Sequence, residues 1–406
     1  MCFVTVPHPL GMISKEEVNA KVDAAFDDIV KAATAWTPSK EKQDAQVKPY
    51  PAKRFKFSGT YADVNDMFQK RKWSLSLPIV PPTVDKVAAM LKGTKRNPAE
   101  VLWVVPPRQG MLTVELVAAL GVMAGAKPEH MPLLIATVEA MADPVAAWRG
   151  PTTTTAATVP VFFISGPIID KLKLNPGTGT AGGENPVTNA LGYFVNLVGD
   201  VVGGSVPPNF DKSTHGFSAD LVAMVFTENA KENPWKTTYA EEAGFKPGDS
   251  IVTHFSAYLG NANIDHDSKT GQRLLTTLST GLLGSASGLA SCLADYDATY
   301  AINNKVSFAF IVLCPEHAAT IAKDFPDQRA ARDFMRETAA MPYKFYSQET
   351  CVPGKDFGPY DENTFIPRFK KTESIKFFVS GGPGKQSQIW VPFPQVFKPV
   401  SKKIAE

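Results

Sequence analysis

The chain has 406 residues, of which 44% are hydrophobic and 20% charged, and its formal net charge is +2. This composition is typical of a globular protein with one large or two ordinary domains, and the near-neutral charge argues against binding to nucleic acid or an anionic membrane surface. No apolar run approaches the roughly 20 residues that span a bilayer, and the N-terminus lacks the basic and apolar regions of a signal peptide.

The four cysteines are widely spaced and include no Cys-x-x-Cys pair; they are Cys2, Cys292, Cys314 and Cys351. This spacing provides neither a zinc site nor a disulfide framework. We therefore expect reduced thiols, a cytoplasmic location and no cofactor.

Residues 1–60 are predicted to form a separate N-terminal segment with a short strand at 3–6, a helix and an extended arm. Ser14 and Glu17 have the spacing of a capping box, so the helix begins after Ser14. Apolar residues recur on one face of this helix, at Val18, Val22, Ala25, Phe26 and Ile29. Residues 37–56 lack periodicity, which is typical of a linker or arm.

The main domain is predicted to span 61–406, with two lobes at 61–150 and 151–406 as one option. Helices are predicted near 63–71, 84–92, 112–124, 128–142, 186–198, 270–293, 315–323 and 327–339. Strands are predicted at 101–105, 159–165, 221–227, 250–256, 306–313 and 375–380, and a short helix or turn after the last one. Because strands alternate with helices, we predict an α/β fold with a layered, largely parallel sheet flanked by helices.

The strongest predicted strand runs into the segment Cys314-Pro315-Glu316-His317. Proline suits the first helical position, which places Cys314 at the N-cap, where unpaired amides and the helix dipole favour a thiolate. Because α/β sheets place ligands in such strand-to-helix crevices, we predict a pocket here. Its catalytic residues would be Cys314 as nucleophile, His317 as proton shuttle, and Glu316. The alternative is an inert, buried cysteine before an ordinary helix start.

Further candidates for substrate binding lie in loops and at the ends of elements. Gly381 and Gly382 follow a strand in a turn that lets backbone approach a ligand, although the Walker spacing is absent. Glu115 begins an apolar helix, where we favour capping over a role as a base. The remaining candidates are Arg108, Thr113, His130, Thr214, His215, Glu228, Asn229 and His254.

Asp265, His266 and Asp267 form the tightest cluster of metal-ligand residue types. Adjacent strand residues point to opposite faces, so these side chains could share an ion only in a loop, which Asn261 and Asn263 indicate. We favour an exposed polar turn. A metal-dependent hydrolase that uses the cluster with His254 remains an alternative.

Several segments together resemble a bacterial family that occurs fused to, or beside, a small thiol/selenol domain named for its Sec/Cys-Gly-Ser-Cys (UGSC) motif. These segments are 77–83, 122–130, 213–216, 228–229 with 233–235, and 314–317, and residues 6–11 with the helix behind them resemble the tail of the small domain. The chain has no Cys-Gly-Ser-Cys motif, and it carries Ala126 where relatives are expected to have cysteine. The resemblance implies a separately encoded thiol/selenol protein as a partner.

The sequence thus predicts an enzyme that acts on a small organic molecule by lyase- or hydrolase-type chemistry, in a homo- or hetero-oligomer. One alternative is a non-catalytic partner subunit of a thiol/selenol redox protein. The other is the metal-dependent hydrolase described above.

Overall fold

The computed structural model describes residues 4, 13–35, 50–156, 158–183, 185–207, 215–258, 260–284, 308–345, 361–393 and 396–405. The chain divides into two compact units, Met1–Lys48 and Pro49–Glu406. The two lobes within the larger part remain a prediction.

The first unit contains helix α1, which spans Lys15–Thr34. Ser14 and Glu17 exchange side-chain-to-amide hydrogen bonds at its start, which confirms the predicted capping box. Ala25 is buried and Val18 is half-buried, whereas four large apolar side chains of the helix are exposed, namely Val22, Phe26, Ile29 and Val30. Most of the strand at 3–6 and of the arm at 37–56 lies outside the described residues.

The second unit begins with a mostly helical region. It contains α2 (Tyr61–Lys70), α3 (Val84–Leu91), strands β1 (Val101–Val105) and β2 (Gly110–Thr113), α4 (Val114–Met123) and α5 (Met131–Ala142). Nearly every residue of α4 and α5 is apolar, and both helices are therefore buried on almost all sides. The predicted strand at 101–105 is confirmed, but it forms an antiparallel hairpin with β2, and Val101 and Val104 are exposed instead of buried.

The remaining elements build two four-stranded sheets and their helices. The strands are β3 (Val159–Ser165), β4 (Met224–Thr227), β5 (Ile251–Ala257), β6 (Asn261–Ile264), β7 (Ala309–Leu313), β8 (Ala340–Pro342), β9 (Phe365–Pro367), β10 (Ile375–Val379), β11 (Gln386–Trp390) and β12 (Val400–Lys403). The helices are α6 (Ile168–Lys171), α7 (Pro186–Asn196), α8 (Tyr239–Glu242), α9 (Gly271–Gly284), α10 (Pro315–Asp324) and α11 (Gln328–Thr338). The predicted continuation of α9 to residue 293 lies outside the described residues.

The first sheet has the order β12-β5-β3-β4 and the second the order β6-β11-β7-β10. In each sheet the last two strands are parallel and the other neighbours antiparallel. The hairpin β1-β2 and the strand pair β8-β9 are antiparallel. The predicted largely parallel sheet is therefore wrong: across the described ranges the protein has small sheets of two to four strands, each mixed or antiparallel.

The short connections explain this difference. A parallel neighbour needs a crossover of about a dozen residues or more, whereas a short turn returns the chain antiparallel. The segment 380–385 is too short for a crossover, so β11 runs antiparallel to β7. Helical segments long enough for a crossover do precede β4 and β10, and these are the parallel strands.

The two sheets follow the same path through the chain. In the first sheet, β3 lies between the parallel strand β4 and the antiparallel strand β5. In the second sheet, β7 lies in the same way between the parallel strand β10 and the antiparallel strand β11. The next strand, β6 or β12, then joins the opposite sheet. The arrangement is a structural duplication in which the fourth strands are exchanged.

The inner faces of the two sheets pack together through aromatic residues. The Phe163 ring stacks on Phe310 at 4.4 Å and meets Phe378 edge-on at 4.8 Å between centroids. Helices α4, α5 and α7 share a core with the outer face of the first sheet, and α9, α10 and α11 share one with the outer face of the second. Among the helices that the structure describes, none is long and apolar enough to cross a membrane.

Candidate functional site

Four polar side chains form a row where the two sheets meet, and we call Ser165, Glu228, Ser380 and Cys314 the junction row. The parallel registers of β3 with β4 and of β7 with β10 place Ser165 beside Glu228 and Cys314 beside Ser380. An antiparallel bridge pairs Glu228 with Ser380 and closes the row. All four residues are buried. Two strand spacings, about 10 Å, separate the backbones of Cys314 and Glu228.

Glu228 holds an ionisable carboxyl group in the first half of the row. Its Oε1 accepts the Tyr239 amide at 2.7 Å, and its Oε2 accepts the Ser165 hydroxyl, which itself accepts the Ala240 amide at 3.2 Å. Burial raises the pKa of Glu228 to about 7 in spite of the hydrogen bonds that favour the carboxylate. The group can therefore bind or release a proton near neutral pH.

Cys314 is the N-cap of α10, with Pro315 at the first helical position, as predicted. The residue is only 5% exposed, so access to the thiol is restricted. Burial alone would raise the pKa of the thiol. The His317 side chain and amide, together with the Gln386 amide, outweigh this effect, and the pKa of Cys314 is lowered.

His317 is held by two hydrogen bonds in the first turn of α10. Its Nε2 lies 3.1 Å from the Asp265 carbonyl, which can only accept, so Nε2 carries a hydrogen. Its Nδ1 lies 2.8 Å from the Ser387 hydroxyl, which also accepts the Cys314 amide at 3.3 Å. Burial alone would lower the pKa of His317, but the interactions with Cys314 and Asp265 raise it.

Glu316 anchors the glycine-rich turn that follows β10. Its Oε2 accepts the amides of Gly384 and Lys385, and these bonds lower the pKa of the carboxyl group. Two amides of the turn are thus satisfied by a side chain of the protein, and the amide of the candidate Gly381 donates to the Pro176 carbonyl. Gly381 accepts the Asn229 amide group through its carbonyl at 3.0 Å.

Gly382 is required by close packing, because a Cβ atom there would collide with Thr178.

The structure brings half of the predicted site residues to one region, next to the junction row. They are Cys314, Glu316, His317, Glu228, Asn229, Gly381 and Gly382.

Three other candidates have local roles in the helical region. The Thr113 hydroxyl caps α4 by accepting the Leu116 amide at 3.2 Å. His130 accepts the Lys127 amide at 3.1 Å through Nδ1, and burial lowers its pKa. Arg108 donates its backbone amide to Gly203.

Glu115 ties a distant chain segment to α4. Its buried carboxylate accepts the Ala52 amide at 2.8 Å and pairs with the Arg54 guanidinium at 3.2 Å. Glu115 lies in the first turn of α4, as the favoured role at the helix start requires, and it makes this long-range contact in addition. The residue lies at the start of α4, away from the strand ends that form the junction row.

His254 is a core histidine of β5. Its ring stacks on Phe162 at 4.5 Å, Nδ1 lies 3.2 Å from the Val161 carbonyl, and burial lowers the pKa to about 3. His215 is exposed, and Thr214 lies outside the described residues.

The proposed metal ligands do not converge. Across the described ranges, no three side chains of His, Cys, Asp and Glu are placed to hold a metal ion. The Asp265 carboxylate instead accepts the Thr277 hydroxyl at 2.6 Å and the Ser268 hydroxyl at 2.8 Å, and its pKa is about 2. The alternative of a metal site at Asp265, His266, Asp267 and His254 therefore has no matching group of ligands among the described residues.

Sequence reasoning missed Ser165 and Ser387. Ser165 carried a usable signal, because an apolar strand followed by a small polar residue and Gly166-Pro167 resembles the segment around Cys314. Ser387 carried none, since its contact with His317 joins residues far apart in the chain.

Comparison of the chain with protein-family models and with curated proteins finds no match.

Proposed function

We propose that this protein is an enzyme that acts on a small organic molecule at the junction row, by hydrolase-type chemistry with Cys314 as the nucleophile. One observation carries the proposal: Cys314 is the N-cap of α10 and the His317 side chain lies in the first turn of the same helix, an arrangement in which the pKa of the thiol is lowered and that of the imidazole raised. Shifts of these two pKa values in opposite directions favour a thiolate–imidazolium pair, which is the reactive form of catalytic cysteines.

The chemistry follows from this pair. The Cys314 sulfur attacks the carbonyl carbon of an ester or thioester, and the leaving oxygen or sulfur takes the proton of the His317 imidazolium. Water then attacks the resulting thioester while the imidazole accepts its proton, which releases the acid and restores the thiolate. The N-terminus of α10 favours the negative charge that develops on the carbonyl oxygen.

Acetylation by p-nitrophenyl acetate tests the proposal directly. We expect release of p-nitrophenolate together with one acetyl group on the peptide that contains Cys314, as measured by mass spectrometry. Cys314→Ser should abolish both signals, whereas Cys292→Ser and Cys351→Ser should keep them. Equal labelling of all cysteines, or unchanged release in Cys314→Ser, would refute the nucleophile role.

Lyase-type chemistry is a second candidate, favoured by the pKa of about 7 for Glu228, which suits a base that removes a proton from carbon. Exchange of the α-protons of 2-oxo acids in D₂O, followed by NMR, tests this role. Exchange that disappears in Glu228→Gln supports it, and exchange that persists in that variant contradicts it.

The partner-subunit alternative is favoured by the exposed apolar face of α1, which carries Val22, Phe26, Ile29 and Val30. The resemblance described above points to a protein with a Sec/Cys-Gly-Ser-Cys motif as its partner. Native mass spectrometry of the two proteins should then show a complex that Phe26→Glu disrupts. A chain that stays alone in this mixture and is acetylated at Cys314 speaks for the enzyme.

A further inference from the structure

A cavity that does not include Cys314 extends to the opposite end of β7. It has a volume of about 710 Å³ and is lined by residues of α8, by Phe308 before β7, by the segment leading into β10 and by the start of β12. Phe308 and Cys314 flank β7 on its two sides, and strand geometry separates them by about 20 Å. The volume lies within the range of about 300–1,000 Å³ that small-molecule sites occupy.

Two lysines of this cavity have no ion-pair partner among the lining residues; one of them, Lys398, also interacts electrostatically with Asp143 outside the cavity. Lys376 pairs with Glu242 at 3.2 Å, and Glu373 pairs with Arg329. Two further lining lysines, Lys371 and Lys398, make no ion pair or hydrogen bond through their side chains with any described residue. The cavity thus offers positive charge at its exposed rim.

The interior of the cavity is aromatic, and the Tyr239 hydroxyl is a hydrogen-bond donor in its wall. Phe245, Phe308 and Phe397 contribute apolar walls. Tyr239 is only 4% exposed, and its hydroxyl makes no hydrogen bond to a described residue. Burial and the nearby Glu242 carboxylate raise the pKa of this phenol well above its usual range, so it remains a donor. Because Tyr239 lines the cavity, its hydroxyl is available to a ligand that supplies a hydrogen-bond acceptor.

We propose that this cavity binds an aromatic acid, whose anionic group lies between Lys371 and Lys398 and whose ring packs against the phenylalanines near the Tyr239 hydroxyl. Apolar walls with a few convergent polar groups are the usual composition of such sites. The ammonium groups select for the anion, and the buried phenol selects for an acceptor atom close to the ring. This site does not include Cys314, and it borders the junction row only at Tyr239, whose amide donates to the Glu228 carboxylate.

Fluorescence titration with two matched dyes tests the proposal. The anionic dye is 8-anilinonaphthalene-1-sulfonate, and N-phenyl-1-naphthylamine is the same ring system without the sulfonate. The native chain should bind the anionic dye more tightly, and added salt should reduce this preference. Lys371→Gln/Lys398→Gln should weaken binding of the sulfonate by about tenfold and leave the neutral dye unchanged. Tyr239→Phe should weaken binding of the anionic dye by about threefold.

The matched control is Lys231→Gln/Lys269→Gln, which removes the same charge from two exposed sites outside the cavity. It should bind the sulfonate as the native chain does, and circular dichroism checks that every variant is folded. Equal affinity for the two dyes, absence of binding, or equal loss in both double variants would overturn the proposal. Loss of binding in Cys314→Ser would also overturn it, because the dye would then occupy the junction row.

Discussion

The two four-stranded sheets share one strand path, yet their halves of the junction row differ chemically. In the first half, the Ser165 hydroxyl is fixed between the Ala240 amide and the Glu228 carboxylate. In the second half, Cys314 occupies the equivalent position beside Ser380, whose hydroxyl turns to the Thr227 carbonyl at 2.7 Å. The comparison teaches that this position accepts a hydroxyl, so the fold itself does not require sulfur there.

The largest expected effect is that of Cys314→Ser, which gives both halves the same residue. The fold should be kept, because Ser165 is accommodated at the equivalent place. Acetylation by p-nitrophenyl acetate should fall at least about a hundredfold, because a hydroxyl is a much weaker nucleophile than a thiolate. The mirror variant Ser165→Ala should keep the acetylation rate and lose about 1–3 kcal/mol in the free energy of unfolding, since it leaves the Ala240 amide unpaired.

His317→Asn tests whether acetylation of Cys314, in the second half of the junction row, depends on the His317 imidazole. We expect the acetylation rate at pH 7 to fall about a hundredfold, because the variant loses both the positive charge and the proton donor. Lys323→Gln removes a positive charge from the exposed end of the same helix and serves as the control. Equal rates in the two variants would contradict the role of His317.

Glu228→Gln tests the first half through the pH dependence of stability. The folded protein holds the proton up to a pKa of about 7, against 4.5 for the ordinary group. The free energy of unfolding of the native chain should therefore fall as the pH rises from 4.5 to about 7, by about 3 kcal/mol. Glutamine does not titrate, so the stability of the variant relative to the native chain should increase by this amount between pH 4 and pH 8. Urea unfolding at both pH values measures the difference, and a constant difference would contradict the raised pKa.

The smallest effect distinguishes two serines at the starts of β5 and β11. Ser250 accepts the Ile168 amide at 3.0 Å, and Ser387 accepts the Cys314 amide. Each change to alanine should reduce the free energy of unfolding by about 1–3 kcal/mol, because a buried donor loses its acceptor. Only Ser387→Ala should also slow acetylation, since Ser387 alone holds an imidazole. A slower acetylation rate in Ser250→Ala would contradict this distinction between the two serines.

The sequence predicted local features well. The limits of β3, the Ser14–Glu17 capping box and the N-cap position of Cys314 are confirmed. Each of these depends on residues close in the chain, where periodicity and capping chemistry act directly.

The arrangement of the sheets could not be predicted in this way. Strands β6 and β11 contain several Asn, Gln and Ser residues, which are unfavourable or neutral in strands, and we predicted a loop and a short helix or turn there. They form strands because they pair with each other and because β11 also pairs with β7, although these strands lie far apart in the chain. The junction row depends on the same long-range pairing, so Glu228 and Cys314 appeared in the sequence as unrelated candidates.

The measurement that tests the central claim most directly is the pH dependence of Cys314 alkylation by iodoacetamide in the folded chain, followed on its peptide by mass spectrometry. The account predicts an apparent thiol pKa below that of an ordinary cysteine, which rises in His317→Asn. An apparent pKa equal to that of the urea-unfolded chain, or no alkylation until the chain unfolds, would contradict it.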